Sequence, residues 1–420
     1  MHLFSYREGS LFCEGVSLTE IASQAGTPSY VYSLNTILNH FRRYVHAWAP
    51  LEPLVAYSVK ACSNLAILRA IAKRGAGADI VSGGELHRAL KAGFPPGRII
   101  FGGVGKTDDE IDFALDSGIL FFNVDSLEEL AVLNELAKRK HKRAKVALRI
   151  NPHVESITHP YVRTGGATNK FGIDIGRALE SCQKAAALPG IELVGIHEHI
   201  GSQIVDVGPF KESLLRLLSL LDELKTAGID LKFLDLGGGL GITYKDEKPP
   251  ELEKFAREIT SLINERKLNL VLEPGRVIAG NAGILLTRVI QIKRTQAKKF
   301  IIVDAAMNDL MRPALYDAYH EILPVRETKE RETADVVGAI CETGDFFAKD
   351  RRIANVEREE LLAVMSAGAY GFSMSSNYNS RPRCAEVLVK GDRFAVIRER
   401  ETYEDLERGE SIPSFVEEDL

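Results

Sequence analysis

The chain has 420 residues, of which 45% are hydrophobic and 26% charged, and its formal net charge is −5. Charge is scattered along the chain, without a basic stripe for nucleic acid or anionic lipid. No run of about 18 uncharged apolar residues predicts a membrane span, and the N-terminus lacks a signal-peptide pattern. We therefore expect a cytoplasmic protein whose partners are small molecules, and a length that allows two domains.

Five cysteines are far apart in the sequence and form no Cys-x-x-Cys pair: Cys13, Cys62, Cys182, Cys341 and Cys384. This pattern predicts neither disulfides nor structural zinc. Cys62 follows Lys60 by two residues, and its sequence context suggests no role for it.

Eight apolar, β-favouring runs alternate with amphipathic helical segments between about residues 36 and 280. The runs cover residues 54–60, 77–83, 98–103, 119–125, 145–152, 193–201, 231–239 and 268–276. Eight parallel strands with intervening helices predict a (β/α)8, TIM-like barrel, in which active sites lie at the C-terminal ends of the strands. Lys60, Asp79, His199, Gly238 and Glu273 all occur at those ends.

The rest of the chain is richer in short β segments. Residues 281–420 contain several such runs separated by turn residues, which predict a second, mostly antiparallel β-sandwich or barrel domain. The first 35 residues, with SYVYS near their end, are expected to pair into this β domain. The predicted organisation is thus 1–35, 36–280 and 281–420.

Lys60 closes an apolar run, VAYSVK, although an ammonium group is costly to bury. Two interpretations stay open. The strand simply reaches the surface at this residue, or Lys60 is a reactive amine at the mouth of the barrel.

The run LDLGGGLGI (234–242) follows the seventh strand. Its glycines could bind a phosphate through backbone N–H groups, or they could only form a tight turn. A second glycine-rich run, FGGVGKT, lacks the first glycine of a P-loop because Ile100 stands there.

Two further strand ends carry polar groups. In IHEHIGSQ, His197 and His199 could bind a metal, pack as a pair, or lie against a planar cofactor. In LEPGR, Glu273 could be a solvated rim residue or could pair with a protonated ring nitrogen, and Gly275 and Arg276 follow it.

Candidate residues also occur after residue 300. In AICETGD, Cys341 is either an inert buried thiol or a proton donor, with Glu342 beside it as a carboxylate for a cation. Arg312, Tyr316 and Tyr370 lie in loop-like stretches; arginine suits carboxylates, and phenols suit phosphate or carboxylate oxygens.

A lysine, a glycine turn, a carboxylate and a histidine on separate strand ends meet the needs of pyridoxal 5′-phosphate. The amine would form a Schiff base, the glycines would hold the phosphate, Glu273 would keep the ring nitrogen protonated, and His199 would stack on the ring.

The motifs YSVKAC, GADIVSGGEL, HEHIGSQ, LDLGGGLGI, LEPGR, MRPALY, CETGD and GAYGFSMSSNYNSRPR occur in one order along the whole chain. With them the sequence resembles the fold-type III pyridoxal-phosphate-dependent amino-acid decarboxylases, most closely those acting on meso-diaminopimelate. The resemblance implies catalytic roles for Lys60, His199 and Cys341. It implies cofactor binding by Lys60, Asp79, His199, Ser202, Gly238, Gly239, Glu273, Gly275, Arg276 and Tyr370, and substrate binding by Arg276, Arg312, Tyr316, Glu342 and Tyr370.

The same resemblance implies a head-to-tail homodimer in which Cys341 and Glu342 act in the partner's active site. The expected reaction is decarboxylation of meso-diaminopimelate to L-lysine and CO2, the last step of lysine biosynthesis, with Cys341 protonating the carbanion and no metal involved. Two arginines suit the substrate's distal carboxylate, whereas an ornithine enzyme meets only a distal ammonium. Decarboxylases of ornithine, arginine or carboxynorspermidine, a racemase, a non-catalytic binding homologue and a metal-dependent barrel hydrolase remain alternatives.

Overall fold

The structure is a computed structural model that describes residues 2–154, 170–263 and 266–417. The chain divides into two compact units. The barrel unit comprises mainly Leu34–Ala282 together with Gly368–Ser373. The β unit comprises Leu3–Ser33, Gly283–Ala367 and the residues from Met374 onward.

The N-terminal segment begins the β unit with four short strands and a helix. These are β1 (Phe4–Arg7), β2 (Ser10–Cys13), β3 (Val16–Ser17), α1 (Leu18–Ala25) and β4 (Ser29–Ser33). Strands β1, β2 and β3 form a small sheet, and the Ser17 side chain caps α1 by accepting a hydrogen bond from the Thr19 N–H.

The barrel unit alternates strands with helices. Its elements are α2 (Leu34–Ala47), β5 (Leu54–Ser58), α3 (Leu65–Ala72), β6 (Gly77–Ile80), α4 (Gly83–Ala92), β7 (Ile99–Phe101), α5 (Asp108–Ser117), β8 (Phe121–Val124), α6 (Leu127–Arg139), β9 (Ala144–Asn151), β10 (Ile173–Asp174), α7 (Ala178–Ala187), β11 (Ile191–His197), α8 (Gly208–Thr226), β12 (Phe233–Asp235), α9 (Leu252–Ile263), β13 (Asn269–Leu272) and α10 (Arg276–Ala279).

Eight of these strands close into a parallel barrel in the order β9-β11-β12-β13-β5-β6-β7-β8, because β8 also pairs with β9. Its interior is filled by apolar side chains that alternate along the strands. They include Ala56, Ile100, Phe121, Ala147, Val194 and Val271. The predicted TIM-like barrel is confirmed, and each predicted strand is present. Most strands are shorter than predicted, whereas β9 and β11 begin before the predicted starts at residues 145 and 193. The first strand ends at Ser58, because a 3-10 turn over Val59–Ala61 follows it.

Three of the barrel helices begin with the same local signal. Ser82, Thr107 and Ser126 each accept a hydrogen bond from the backbone N–H of a glutamate three residues later, at the start of α4, α5 and α6. Such caps satisfy an N–H group that has no partner within the helix. They fix where each helix starts after the preceding strand.

The β unit continues with β14 (Gly283–Arg294), β15 (Lys299–Val303), α11 (Arg312–Tyr316), β16 (Ile322–Pro324), β17 (Arg331–Val337), β18 (Phe346–Ala354), β19 (Leu361–Val364), β20 (Ala385–Lys390), β21 (Arg393–Arg398) and α12 (Tyr403–Leu406). Its main sheet has the order β18-β17-β15-β14-β4-β20-β21. Most pairs are antiparallel; β15–β17 and β4–β20 are parallel. The prediction of a second, mostly antiparallel β region is therefore confirmed. Among the described residues, no helix is long and apolar enough to span a bilayer.

Candidate active site

Lys60 lies in the turn that follows β5, at the C-terminal end of the barrel. Its Nζ donates a 2.7 Å hydrogen bond to Oδ2 of Asp79, which lies in the neighbouring strand β6. Burial alone would lower the pKa of the Lys60 amine, but the charges of Asp79 and Glu273 outweigh burial and raise it. Without a cofactor the amine is therefore held as an ammonium.

The Ser58 side chain, at the end of β5, contacts a residue of β6 and the residue that follows β13, the strands on both sides of it. Its hydroxyl lies 2.8 Å from Oδ2 of Asp79 and 3.0 Å from the Glu273 backbone carbonyl oxygen. Burial raises the pKa of Asp79, and the nearby charge of Glu273 raises it further, whereas Lys60 opposes both. Lys60 is thus the neighbouring charge that favours the ionised form of Asp79, and Asp79 in turn favours the ammonium form of Lys60.

Glu273 directly follows β13 and is 6% exposed. The Asn123 amide donates hydrogen bonds to Oε1 of Glu273 (3.2 Å) and Oδ2 of Asp235 (3.0 Å), and His197 Nε2 lies 3.6 Å from Oε1. Burial favours the neutral form of Glu273, but His197 and Lys60 outweigh burial and lower its pKa. Burial and Glu273 together raise the pKa of Asp235. The pKa values of these two neighbouring carboxyl groups therefore shift in opposite directions.

His197, Asp235 and Glu273 also bring three possible metal ligands within 4.8 Å of one another. The Asn123 amide, however, donates hydrogen bonds to both carboxyl groups. It therefore occupies carboxyl lone pairs that a metal ion would need as ligands. The geometry therefore favours a hydrogen-bonded cluster.

The three glycines after β12 form a turn against neighbouring strand ends. A Cβ atom on Gly238 would lie 2.2 Å from the Glu273 carbonyl oxygen, and one on Gly239 would lie 2.4 Å from that of Gly201. Gly239 also has φ +107, which side chains disfavour. The backbone is therefore bare here and can approach a ligand closely.

His199 lies beside this turn. The Gly238 N–H donates to its Nδ1 at 3.1 Å, which leaves the hydrogen on Nε2 in the neutral ring. Burial, followed by the charge of Arg149, lowers the pKa of His199 to about 3. Strand β11 ends at His197, so His199 is placed by the loop and not by strand alternation. The imidazole is a flat, neutral surface.

Arg276 begins the short helix α10 and is 7% exposed. Its guanidinium donates to the Tyr244 hydroxyl at 2.7 Å and the Ser202 hydroxyl at 2.8 Å. The Tyr370 ring centroid lies 4.8 Å from its Cζ. Tyr370 has φ +56 and donates its N–H to the Ala61 carbonyl oxygen at 2.8 Å, so it is tied to the Lys60 turn.

Most of these residues line one cleft at the C-terminal end of the barrel. Its lining includes Ser58, Lys60, His199, Ser202, Gly238, Gly239, Glu273, Gly275, Arg276 and Tyr370. An amine, a buried carboxylate, a flat imidazole and a glycine turn beside a guanidinium are the groups that pyridoxal phosphate needs. The donor set therefore fits this cofactor.

A larger groove of about 1370 Å³ lies along α2 and the residues just before β5. It is lined by the side chains of Arg42, His46 and Arg74 among others, and it contains none of the strand-end residues described above. Pro53 lines the groove and directly precedes β5. The groove therefore lies at the N-terminal end of the barrel strands, whereas active sites of TIM barrels lie at the C-terminal end.

The β unit holds the other predicted residues. Cys341 is exposed, whereas the remaining four cysteines are buried. Its backbone N–H donates to Oδ1 of Asn379 at 2.9 Å, and the Tyr378 hydroxyl donates to Oε2 of Glu342 at 2.8 Å. Arg312 is buried at the start of α11, and Tyr316 ends that helix.

Sequence reasoning did not assign roles to Asn123, Asp235 and Tyr244. Asn123 and Asp235 each interrupt an apolar strand, and both are fully buried. A polar residue inside a strand that otherwise faces a core is the signal that could have identified them. Tyr244 lies in a long loop, where no periodicity points to its contact with Arg276.

Comparison with known proteins gives a family match across the barrel. Residues 34–280 match the pyridoxal-binding domain of pyridoxal-dependent decarboxylases. The chain is similar to diaminopimelate decarboxylase of Aquifex aeolicus, with 54% identity over 402 residues, which cover 95% of each chain. It is 51% identical over 416 residues to diaminopimelate decarboxylase of Pseudomonas aeruginosa, covering 98% of this chain and 99% of that one.

A solved structure agrees with these relatives. The crystal structure of diaminopimelate decarboxylase from M. jannaschii in complex with L-lysine superposes with a TM-score of 0.93 and 42% identity, covering 98% of each chain.

Proposed function

Because the chain belongs to the diaminopimelate decarboxylase family of pyridoxal-phosphate-dependent enzymes, we infer that it converts meso-diaminopimelate to L-lysine and CO2 in lysine biosynthesis. Its cofactor is pyridoxal 5′-phosphate. The observation that carries this function is the pairing of Lys60 with Asp79 in a cleft that also presents Glu273 and the glycine turn.

We propose that Lys60 holds the cofactor covalently, with Asp79 setting the charge of its amine. Gly238, Gly239, Gly275, Ser202 and Arg276 would surround the phosphate, because they supply a bare backbone, a hydroxyl and a fixed guanidinium. When bound, pyridoxal phosphate supplies an electron sink for the bond that loses CO2.

Glu273 and His199 are proposed to face the ring. Glu273 is ionised in a buried site, so it can keep a ring nitrogen protonated. His199 stays neutral, so it can lie flat against a ring without adding charge. Tyr370 is proposed to lie at the junction of cofactor and substrate, and its contact with Arg276 supports this proposal.

The substrate has a second amino-acid group at its far end. We propose that Arg312, with Arg276 and Tyr316, binds the distal carboxylate and that Glu342 binds the distal ammonium, since these pairs match in charge. A substrate without the distal carboxylate, such as ornithine, would leave a buried arginine without its anion.

We further propose that the enzyme acts as a homodimer in the cytoplasm and that Cys341 and Glu342 serve the partner's active site. Cys341 would protonate the carbon from which CO2 has left. Its exposure in the single chain supports this role, because an exposed thiol is available to a second subunit. We also propose residues 36–280 as the cofactor-binding domain and residues 1–35 with 281–420 as the β domain.

Borohydride reduction of the purified enzyme, followed by peptide mass analysis, tests the central assignment. A pyridoxyl group is expected on Lys60, and Lys60→Ala should lose both this mass and CO2 release from meso-diaminopimelate. Lys184→Ala serves as the control, because Lys184 is exposed and pairs with Glu180 one helical turn away. A pyridoxyl group elsewhere, or faster CO2 release from ornithine or arginine, would contradict the proposal.

A further inference from the structure

His320 is a buried residue of the β unit that none of the roles above includes. Its Nε2 lies 3.0 Å from Nη1 of Arg312, and its Nδ1 lies 2.8 Å from the Met365 carbonyl oxygen. A guanidinium can only donate and a carbonyl can only accept, so Nε2 is an acceptor and Nδ1 carries the hydrogen. The two contacts define the neutral Nδ1–H tautomer of His320.

The segment around His320 is fixed from a second direction. The Arg351 guanidinium donates to the backbone carbonyl of His320, and its Cζ lies 4.1 Å from the ring centroid of Tyr319. His320 is fully buried and Arg312 is 6% exposed. The imidazole therefore has one position, set by the end of β19 on one side and by Arg351 on the other.

A fixed acceptor restricts the arginine that donates to it. The guanidinium is planar and carries its donors in a rigid fork, so holding Nη1 also sets the plane of the group and the direction of its remaining donors. An arginine that is already oriented loses less side-chain freedom when a carboxylate binds.

We propose that His320 is a positioning residue that orients Arg312 for the carboxylate at the far end of the substrate. This inference rests on the proposed function, which assigns Arg312 to that carboxylate. Protonation of Nε2 would set a donor against a donor and a cation against a cation, so only the neutral ring can perform this role.

Two substitutions separate the two contacts of the ring. His320→Gln places an amide oxygen near the position of Nε2, so it keeps an acceptor for Arg312 and loses the bond to Met365. His320→Asn places an amide nitrogen near the position of Nδ1, so it keeps the bond to Met365 and loses the acceptor for Arg312. Each variant is thus the control for the other.

The readout is the inhibition of the holoenzyme by two ligands. L-lysine, the product, retains the distal carboxylate, and 1,5-diaminopentane is the same molecule without it. In His320→Asn we expect inhibition by L-lysine and the KM for meso-diaminopimelate to weaken roughly three- to tenfold, with kcat nearly unchanged. Inhibition by 1,5-diaminopentane should not change, and His320→Gln should bind L-lysine nearly as the wild type does.

The possible failures are distinct. Equal weakening of both inhibitors, or a loss in His320→Gln that exceeds the loss in His320→Asn, would show that His320 only supports the fold and would overturn the inference. Wild-type L-lysine binding in His320→Asn would overturn it as well. Absence of CO2 release from meso-diaminopimelate by the wild-type enzyme would instead overturn the proposed function.

Discussion

Glu273 keeps its charge in a site that contains two other buried carboxyl groups, Asp79 and Asp235. Burial acts against ionisation of all three, and the charge of Glu273 further raises the pKa of Asp79 and of Asp235. Lys60 favours the charged form of Asp79. His197 Nε2 lies 3.6 Å from Oε1 of Glu273 and favours the charged form of this carboxyl group, which is proposed to face the ring nitrogen. The pKa of Asp235 is therefore raised and that of Glu273 lowered because the two groups have different neighbours.

Replacing His197 should change the protonation of Glu273. In His197→Leu the nearest compensating group is lost, and we expect the pKa of Glu273 to rise so that it is protonated at neutral pH. Infrared spectroscopy of the cofactor-free protein should then show an additional protonated-carboxyl band, which Glu273→Gln in the same background removes. The wild type should already show bands from Asp235 and from Glu198, whose pKa values burial raises, and only the Asp235 contribution should disappear in Asp235→Asn.

His197→Asn provides the matched control, because it retains a polar side chain but cannot carry a positive charge. If its infrared spectrum equals that of the wild type, hydrogen bonding and not charge holds Glu273 ionised. If His197→Leu shows no additional band, Lys60 alone is sufficient and the role given to His197 is wrong.

The positions of Lys60 and Glu273 at strand ends could be expected from the sequence, because each closes an apolar run in a predicted barrel. The ion pair of Lys60 with Asp79 and the sharing of Asn123 between two acids could not. Those contacts depend on the register between neighbouring strands, which alternation within one strand does not determine. The hydrogen bond between Arg276 and Tyr244 depends on the conformation of a loop, which periodicity in the sequence does not predict.

At the scale of elements, the glycine turn after β12 shows how a loop is fitted to the strands beside it. Gly237 donates its N–H to Oδ1 of Asp235, and Glu273 donates its N–H to the Gly237 carbonyl oxygen. The turn is thus bonded to β12 and β13 before any ligand binds. A preformed backbone surface of this kind binds a phosphate without ordering the loop.

Gly238→Ala should displace the glycine turn from the residues that follow β13. The new Cβ would lie 2.2 Å from the Glu273 carbonyl oxygen, a backbone atom that cannot move aside cheaply. We expect the dissociation constant for pyridoxal phosphate to rise at least tenfold, measured by cofactor fluorescence during dilution. Gly97→Ala is the control, because nothing lies within 4 Å of its Cβ position, and it should bind the cofactor as the wild type does.

A buried acid links β11 to α8 behind this turn. The Ser213 hydroxyl of α8 donates to Oε2 of Glu198, which follows β11, and burial raises the pKa of Glu198 to about 8. The folded protein binds this proton more tightly than the unfolded chain, whose pKa is 4.5. The stability from Glu198 is therefore fully present below about pH 4.5 and is lost as the pH rises toward 8.

Glu198→Gln should make the stability of the barrel less dependent on pH. An amide has similar volume and does not ionise, so the loss between pH 5 and pH 8, at most about 4 kcal/mol in the wild type, should become smaller. Thermal unfolding across this range measures the difference. Glu223→Gln on the exposed side of α8 should leave the pH profile unchanged, and a profile in Glu198→Gln as steep as the wild type's would contradict the role of Glu198.

The type and order of the barrel strands could be predicted because each is an apolar run between helical segments of a different period. Their ends could not. The strand at 54–60 stops at Ser58 because the turn that presents Lys60 uses Val59–Ala61, and an apolar valine in that turn looks like a strand residue.

At the scale of the whole molecule, the residues proposed for chemistry are divided between the two units of the chain. Lys60 belongs to the barrel unit, and Cys341 and Glu342 belong to the β unit, where both are exposed. The exposure of Cys341 in the single chain is consistent with the proposed catalytic role if a second subunit covers this thiol. The proposal of a homodimer therefore makes activity a property of two chains.

Mixing two inactive variants tests this directly. Lys60→Ala and Cys341→Ala should each be inactive or slow alone. After they are mixed and allowed to exchange subunits, half of the dimers carry one intact site, so about a quarter of the wild-type activity should return. Mixing Lys60→Ala with Glu273→Gln is the control, because both residues belong to the barrel unit. In a mixed dimer each barrel then carries one of the two substitutions, so neither active site is intact and no activity should return. No recovery in the first mixture would show that Cys341 does not act across subunits.

The strand β4 lies between β14 and β20 in the main sheet of the β unit. Its partners are synthesised late, since β14 starts at Gly283 and β20 at Ala385. At ribosomal rates of about 5–20 residues per second, roughly 12–50 seconds pass between the synthesis of β4 and the start of β14, its first pairing partner in the main sheet. During translation the nascent chain therefore carries an apolar strand with both edges unpaired, and chaperones that recognise such segments have their longest opportunity there.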